Sequence, residues 1–176
     1  MTPRARRPVA YDPRSHLTDG FDSGQPSLDI WLQRFAGQSQ RRDAARTFVT
    51  SEDGLTVIGY YALIAGELTH GRATPRVSRG MSKRFPIPVA LLARLAVDRR
   101  HHGRGIGSSL LLDALDRVLL ASEHVATRAV VVAAISDTAA GFYEHHGFRP
   151  LSDDPRTLMI TLDEIRDSLA SESDRR

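Results

Sequence analysis

The stretch Leu95-Ala96-Val97-Asp98-Arg99-Arg100-His101-His102-Gly103-Arg104-Gly105-Ile106-Gly107-Ser108 decides how the rest of this chain is read. An apolar run, Pro88–Asp98, enters it as a buried strand, and an amphipathic helix, Ser108–Ser122, leaves it. On that helix Leu111, Leu115, Val118 and Leu119 are expected inward, and Asp113, Asp116 and Arg117 outward. Between strand and helix, Gly103, Gly105 and Gly107 alternate. Glycines let successive backbone N–H groups turn into one concavity, and a helix start adds N–H groups without acceptors and a positive dipole end. Together these make an anion site suited to a pyrophosphate. A P-loop would end in Gly-Lys-Ser/Thr, whereas Gly107 runs straight into Ser108. A dinucleotide fold would need GxGxxG and an acid closing the next strand. Here the spacing is GxGxG, and Glu123 falls before that strand.

Working outward, residues 1–16 are Arg- and Pro-rich and read as a basic, extended extension. Pro26 to about Ala45 reads as a helix, with proline in the first turn and Leu28, Trp31, Leu32 and Phe35 at helical spacing. Thr47–Ser51 and Leu55–Leu63 read as strands joined by a turn at Asp53-Gly54. Residues 66–86 carry Gly, Pro, Ser and Arg without periodicity and read as a long loop. Ala129–Ile135 is a continuous apolar strand. Ser136 or Asp137 can cap a short helix that stops at Gly147. Phe148–Leu151 and Thr157–Leu162 read as closing strands and Asp163–Ala170 as a last helix. The order is α/β, with one mixed and mostly antiparallel sheet and a strand–helix–strand unit in its middle. The expected division is an extension over 1–16, one domain over 17–170 and a tail over 171–176.

Composition narrows the chemistry. The chain has 176 residues, 41% of them hydrophobic, enough for one domain with a real core. It has no cysteine, which excludes a thiol nucleophile, a disulfide frame and thiolate-held metal. No apolar run reaches the ~18–20 residues of a membrane span. No apolar region follows the basic residues up to Arg7, so a leader peptide is not expected; the expected location is the cytoplasm. Asp98, His101 and His102 do not form a metal-ligand pattern, and no metal is expected. The net charge is +3, and Lys83 is the only lysine; every other fixed cation is arginine. That bias has two readings, genome base composition or a polyanionic partner that suits the planar guanidinium fork.

The glycine loop resembles the acyl-CoA loop of the GNAT N-acetyltransferases, Gln/Arg-x-x-Gly-x-Gly/Ala after a strand and before a helix. The register is His102-Gly103-Arg104-Gly105-Ile106-Gly107, with His102 where Gln or Arg is usual. An overlapping register starting at Arg100 also matches the letters. A second segment, Ser136-Asp137-Thr138-Ala139-Ala140-Gly141-Phe142-Tyr143-Glu144-His145-His146-Gly147-Phe148, resembles the family's Phe/Trp-Tyr-x-x-x-Gly-Phe helix end. The resemblance implies a single-domain GNAT fold with acetyl-CoA as cosubstrate. Its pyrophosphate would lie against His102, Gly103, Arg104, Gly105, Ile106, Gly107 and Ser108, with Ser136 also at the cofactor. Its pantetheine arm would pair with the backbone of Leu95, Ala96 and Val97. It also implies that Tyr143 approaches the thioester sulfur. A phenol with pKa near ~10 can hand a proton or a hydrogen bond to a departing thiolate. Many GNAT enzymes use a glutamate on the central strands as base, and Leu91–Val97 carries no acid, with Asp98 only at its edge. A lysine amine at pKa ~10.4 would need help to lose its proton, whereas an α-amine at ~7.7–8 is already partly neutral. The missing base therefore leans towards an α-amine acceptor. His145 and His146 near a helix end read as dipole-satisfied surface groups.

Towards the N-terminus, Gly20-Phe21-Asp22-Ser23-Gly24-Gln25-Pro26-Ser27-Leu28-Asp29-Ile30-Trp31-Leu32 and Ala93-Arg94-Leu95-Ala96-Val97-Asp98 resemble the GNAT-type toxins of toxin–antitoxin systems. This resemblance spans roughly residues 18–165. It implies acetylation of the α-amine of aminoacyl-tRNA, inhibition of translation, neutralisation by a ribbon-helix-helix antitoxin, and a homodimer. Two arginine-rich clusters suit tRNA phosphates. Arg34, Arg41, Arg42 and Arg46 lie on or beside the first helix; Arg72, Arg76, Arg79, Lys83 and Arg84 crowd the long loop. Arg94 has two candidate roles, pairing with an internal acid or reaching the acceptor. The alternatives are a GNAT acting on a small-molecule amine or a protein N-terminus, and an acyl-CoA-binding module without activity.

Overall fold

A computed structural model describes residues 4–151 and 153–173. The outermost parts of the expected extension and tail, 1–3 and 174–176, lie outside the described residues. The described residues form two compact units: those up to Ile64 with Leu92–Ala114, and Ala65–Leu91 with those from Leu115 on. Among the described residues seven strands form the sheet. No helix among the described residues is long and apolar enough to cross a membrane.

In the first unit the strand order is β1 (Val9–Ala10), β2 (Arg46–Ser51), β3 (Val57–Leu68), β4 (Ile87–Val97), with β3 and β4 entering it by one end each. β1 pairs antiparallel with β2, Val9 facing Val49, and β2 pairs antiparallel with β3, Arg46 facing Leu63. The basic extension is thus tied down: the Arg6 N–H donates to the Ser51 carbonyl and the Tyr11 N–H to that of Thr47. The β2–β3 turn explains why the second strand starts at Val57 and not at Leu55. The Asp53 carboxylate accepts the N–H groups of Leu55 and Thr56 at 2.8 and 2.7 Å, drawing both out of the ladder. Gly54 takes the turn at φ +88°.

The first helix runs as α1 (Pro26–Ile30), a π-helical turn (Trp31–Phe35) and α2 (Ala36–Arg41). The N–H of Ala36 reaches back five residues to the Trp31 carbonyl. That extra residue turns the following positions around the axis. Leu32 is buried as its spacing requires, but Ala36 takes the next inward place and Phe35 is left 49% exposed. The helix stops at Arg41, short of the expected Ala45, and Asp43 follows at φ +56°. Its inner face packs on Tyr11, Phe21, Val49, Val57, Tyr60 and Ala96.

The glycine loop feeds α4 (Ile106–Ser122). Leu110, Leu111, Ala114, Leu115 and Val118 are buried as one stripe. Asp113, expected outward, is buried instead and accepts a 2.5 Å hydrogen bond from the Tyr61 hydroxyl. It flanks the apolar stripe, and the phenol provides the partner that a buried carboxylate requires. Asp116 is exposed as expected, and so are the apolar Leu112 and Leu120.

In the second unit the order is β4, β5 (Ala129–Ala133), β7 (Thr157–Thr161), β6 (Arg149–Pro150). β5 and β6 both pair antiparallel with β7, Ala129 facing Thr161 and Arg149 facing Met159. β3 runs on to Leu68, five residues past the expected end, with Gly66 against Leu91: a Cβ there would fall 2.7 Å from the Leu91 Cγ. Residues 69–86 are not featureless, because α3 (Pro75–Ser78) drops Val77 into a core with Ile87, Val89, Ala129, Val131 and Met159. Helix α5 (Asp137–His145) is capped by Ser136 and is followed by Gly147 at φ +92°, as its sequence requires. Helix α6 (Leu162–Ser173) opens on a capping box: the Glu164 N–H donates to Thr161 Oγ1, and the Thr161 N–H donates to the Glu164 carboxylate.

Candidate active site

The end of β4 is held by a buried acid. Asp98 has no exposed side-chain surface. Its Oδ1 accepts the Arg100 N–H at 3.0 Å and Nε–H at 2.8 Å, and its Oδ2 accepts Arg100 Nη2 at 2.7 Å and the Asp22 N–H at 3.1 Å. Arg100 reaches on to the Gly20 carbonyl, and Arg99 forms an ion pair with Asp22. The Arg100 guanidinium hydrogen bonds hold the Asp98 carboxyl well below the usual carboxylate range. A carboxylate so held is an anchor and not a base. It caps the 3-10 turn Arg99–His101 and ties residues 20–22 to the start of the glycine loop. Asp is a preferred N-cap residue, so the Asp98-Arg99-Arg100 sequence carried that signal.

Beyond the turn, Gly103 and Gly105 adopt φ +76° and +75°, the left-handed region. A Cβ on either would meet nothing within 4 Å, so backbone conformation and not crowding selects glycine there. Gly107 differs from the expected alternation: it lies in the first turn of α4 with helical backbone. The loop therefore has two left-handed glycines opening onto space, followed by the first amides of a 17-residue helix. The amides of Ile106 and Gly107 have no acceptor within the helix. His102, Gly103, Arg104 and Gly105 are exposed, Gly107 and Ser108 partly so, and Ile106 is buried beneath. This is a cradle that suits a pyrophosphate, and acetyl-CoA carries one.

Side chains shape its flanks. His102 turns back, its Nε2–H donating to the Val97 carbonyl at 2.7 Å. It thus braces the strand end, and the Val97 carbonyl keeps a second lone pair. Leu95 and Val97 are half-buried, while Ala96 faces the core. Arg104 pairs with Glu52 at 2.5 Å, and His101 lies 3.8 Å from both Glu52 and Asp98. A cavity of 440 Å³ in the same unit is lined by Glu52, Asp53, Thr56, Ile58, Arg100 and His101. Two carboxylates in its wall suit a phosphate poorly, whereas the cradle presents backbone N–H groups without carboxylates of its own.

Arg94 forms no ion pair with an internal acid among the described residues and packs on an aromatic ring instead. Its guanidinium covers the Trp31 ring at 4.8 Å from the centroid, and Tyr60 stacks beneath Trp31 at 6.0 Å. No spacing rule relates residues 31, 60 and 94, so this arrangement was not legible in the sequence.

In the second unit, Tyr143 is 6% exposed on α5, with Phe142 and Phe148 edge-on at 5.2 and 5.5 Å. Burial pushes its hydroxyl above the ordinary phenol range. Ser136 Oγ accepts the Ala139 N–H at 3.1 Å, so its hydroxyl serves as the helix cap. His146 donates from Nδ1 to the Phe142 carbonyl at 2.8 Å, the expected helix-end role, and His145 is exposed.

The arginine clusters divide by pairing. Arg46 is held by Asp43 and the Gln40 carbonyl, and Arg76 by Glu164. Arg34, Arg41 and Arg42, and separately Arg79, Lys83 and Arg84, are exposed and form no ion pair among the described residues.

Comparison with known proteins agrees with this geometry. Residues 43–150 match the acetyltransferase (GNAT) domain family. Over 146 residues the chain is 44% identical to a tRNA-acetylating toxin of Mycobacterium tuberculosis, covering 83% of this chain and 86% of that one. The structure of AtaTR bound with AcCoA superposes with a TM-score of 0.78 at 25% identity, over 94% of this chain and 98% of that one. AtaT complexed with acetyl-methionyl-tRNAfMet shares the fold at TM-score 0.85 and 24% identity, over 94% and 99% of the two chains. The chain belongs to the GNAT acetyltransferase family. It is an N-acetyltransferase whose cosubstrate is acetyl-CoA.

Proposed function

We propose that the chain transfers acetyl from acetyl-CoA to the α-amine of aminoacyl-tRNA, blocking translation as the toxin of a toxin–antitoxin pair. The observation that carries this reading is the 44% identity to a tRNA-acetylating toxin over most of both chains. Acetyl-CoA supplies an activated acetyl group. The amides of Gly103, Gly105, Ile106, Gly107 and Ser108 would hold its pyrophosphate. The acceptor α-amine, with a reference pKa of ~7.7–8, gives up a proton to water and needs no dedicated base. Its nitrogen bonds to the acetyl carbon as the carbon–sulfur bond breaks. Tyr143 meets the departing thiolate with its hydroxyl proton, the new amide nitrogen sheds its extra proton to water, and the tyrosinate is reprotonated from solvent. A phenol raised by burial keeps that proton until a strong acceptor forms.

In this reading Arg34, Arg41, Arg42, Arg79, Lys83 and Arg84 contact tRNA phosphates, with Arg46 and Arg76 in supporting ion pairs. A ribbon-helix-helix antitoxin neutralises a cytoplasmic homodimer, and the catalytic domain extends over 17–170. The test is incubation with labelled acetyl-CoA and total charged tRNA, followed by mass spectrometry of the tRNA-linked product. Acetylated aminoacyl ester is expected; label found only on peptides or free amines would refute the reading.

A further inference from the structure

We propose that Phe85 is a stacking platform for an unpaired base at the 3′ end of the RNA substrate. The proposal rests on the aminoacyl-tRNA reading above and adds a contact to it. No acidic residue occurs between Glu67 and Asp98, while Arg72, Arg76, Arg79, Lys83 and Arg84 all fall within that interval. The loop that carries them is firmly built. Val77 is fully buried, and Arg128 grips the carbonyls of Val77 and Arg76 at 3.0 and 3.3 Å. At the loop's far end the His70 ring N–H donates to the Phe85 carbonyl at 2.9 Å, and Ile87 is fully buried two residues on.

The backbone of Phe85 is therefore held at its own carbonyl and two residues on, yet the residue is 68% exposed, more than any other aromatic among the exposed large hydrophobics. Its chain neighbours Arg84 and Lys83 form no ion pair among the described residues. An aromatic face bordered by unpaired cations matches a single-stranded nucleic acid, whose bases stack while its phosphates are neutralised. Every charged tRNA ends in such a segment. An acidic peptide would satisfy the cations but has no flat π face to place on the ring, so RNA is the occupant the chemistry favours.

The experiment measures binding of uncharged tRNA, whole or trimmed of its unpaired 3′ nucleotides, to wild type and to Phe85→Ala, Phe85→Leu and Phe85→Tyr. Whole tRNA should bind about tenfold more weakly to the Ala and Leu variants and normally to Tyr. With trimmed tRNA all four proteins should bind alike. Thermal midpoints and acetyl-CoA affinity should not move, since the ring is exposed. Wild-type affinity in the Leu variant, or an Ala defect that survives trimming, would overturn the proposal. So would competition by poly-L-glutamate that depends on the Phe85 ring. Failure of wild type to acetylate charged tRNA would refute the substrate reading instead, because the binding assay uses uncharged RNA.

Discussion

Arg100 closes on Asp98 through three hydrogen bonds of 2.7–3.0 Å, two from its guanidinium and one from its own N–H. The pair converts the end of the central strand into a fixed starting point for the glycine loop. Asp98 is buried and Arg100 is 64% exposed, so the acid is the costly partner to disturb.

Asp98→Ala should destabilise the protein by about 2–3 kcal/mol, the range for a lost charge-assisted hydrogen bond in a buried setting. The pH dependence has a definite sign. The folded pKa is depressed, so the contribution is complete above the unfolded value of ~3.9 and fades as pH falls towards the lower folded value. Urea titrations at pH 7 and pH 3 should show the gap between variant and wild type narrowing in acid. A gap that widens would place the stabilising charge elsewhere.

Gly103→Ala and Gly105→Ala should each cost about 1–2 kcal/mol, because a Cβ is strained at φ near +75° although nothing crowds it. If the cradle binds pyrophosphate through its amides, both should also weaken acetyl-CoA in calorimetry. Gly107→Ala, at a helical position, should be milder in stability. Equal costs at all three sites would mean the left-handed turns are not the constraint.

Tyr143→Phe should lower kcat by about 10²–10⁴-fold while leaving acetyl-CoA affinity nearly unchanged. The aromatic packing with Phe142 and Phe148 survives the change, so stability should hold. Single-turnover kinetics would check this, and an unchanged chemical rate would remove Tyr143 from the reaction.

Neutralising Arg79, Lys83 and Arg84 together should reduce the slope of log affinity for tRNA against log salt by about 2. Arg46→Ala and Arg76→Ala should shift it less, because Asp43 and Glu164 already neutralise those cations. A slope that ignores the triple variant would move the RNA surface off this loop.

Periodicity and motif spacing were enough to reveal most of the elements, the cradle and the tyrosine helix. These features are local: a strand, a turn and a cap are written in adjacent residues, and a left-handed position calls for glycine wherever it falls. The same local rules failed where distant residues decided. Phe35 continues the helical spacing of Leu28, Trp31 and Leu32, but the π turn at Trp31–Phe35 gives the next buried place to Ala36. Asp113 looked solvent-facing because nothing nearby in the chain announces the Tyr61 hydroxyl. The long loop looked featureless because Val77 gains its value only from a core built by β4, β5 and β7. Asp98, Arg94 and Glu52 owe their roles to partners such as Asp22, Trp31 and Arg104, 76, 63 and 52 positions away. What the sequence by itself determined is a loop whose left-handed glycines lead into a helix start, and the class of reaction. Which charges are neutralised, which remain open and which ring meets solvent were decided only by tertiary structure, because burial and ion pairing depend on what the fold brings near.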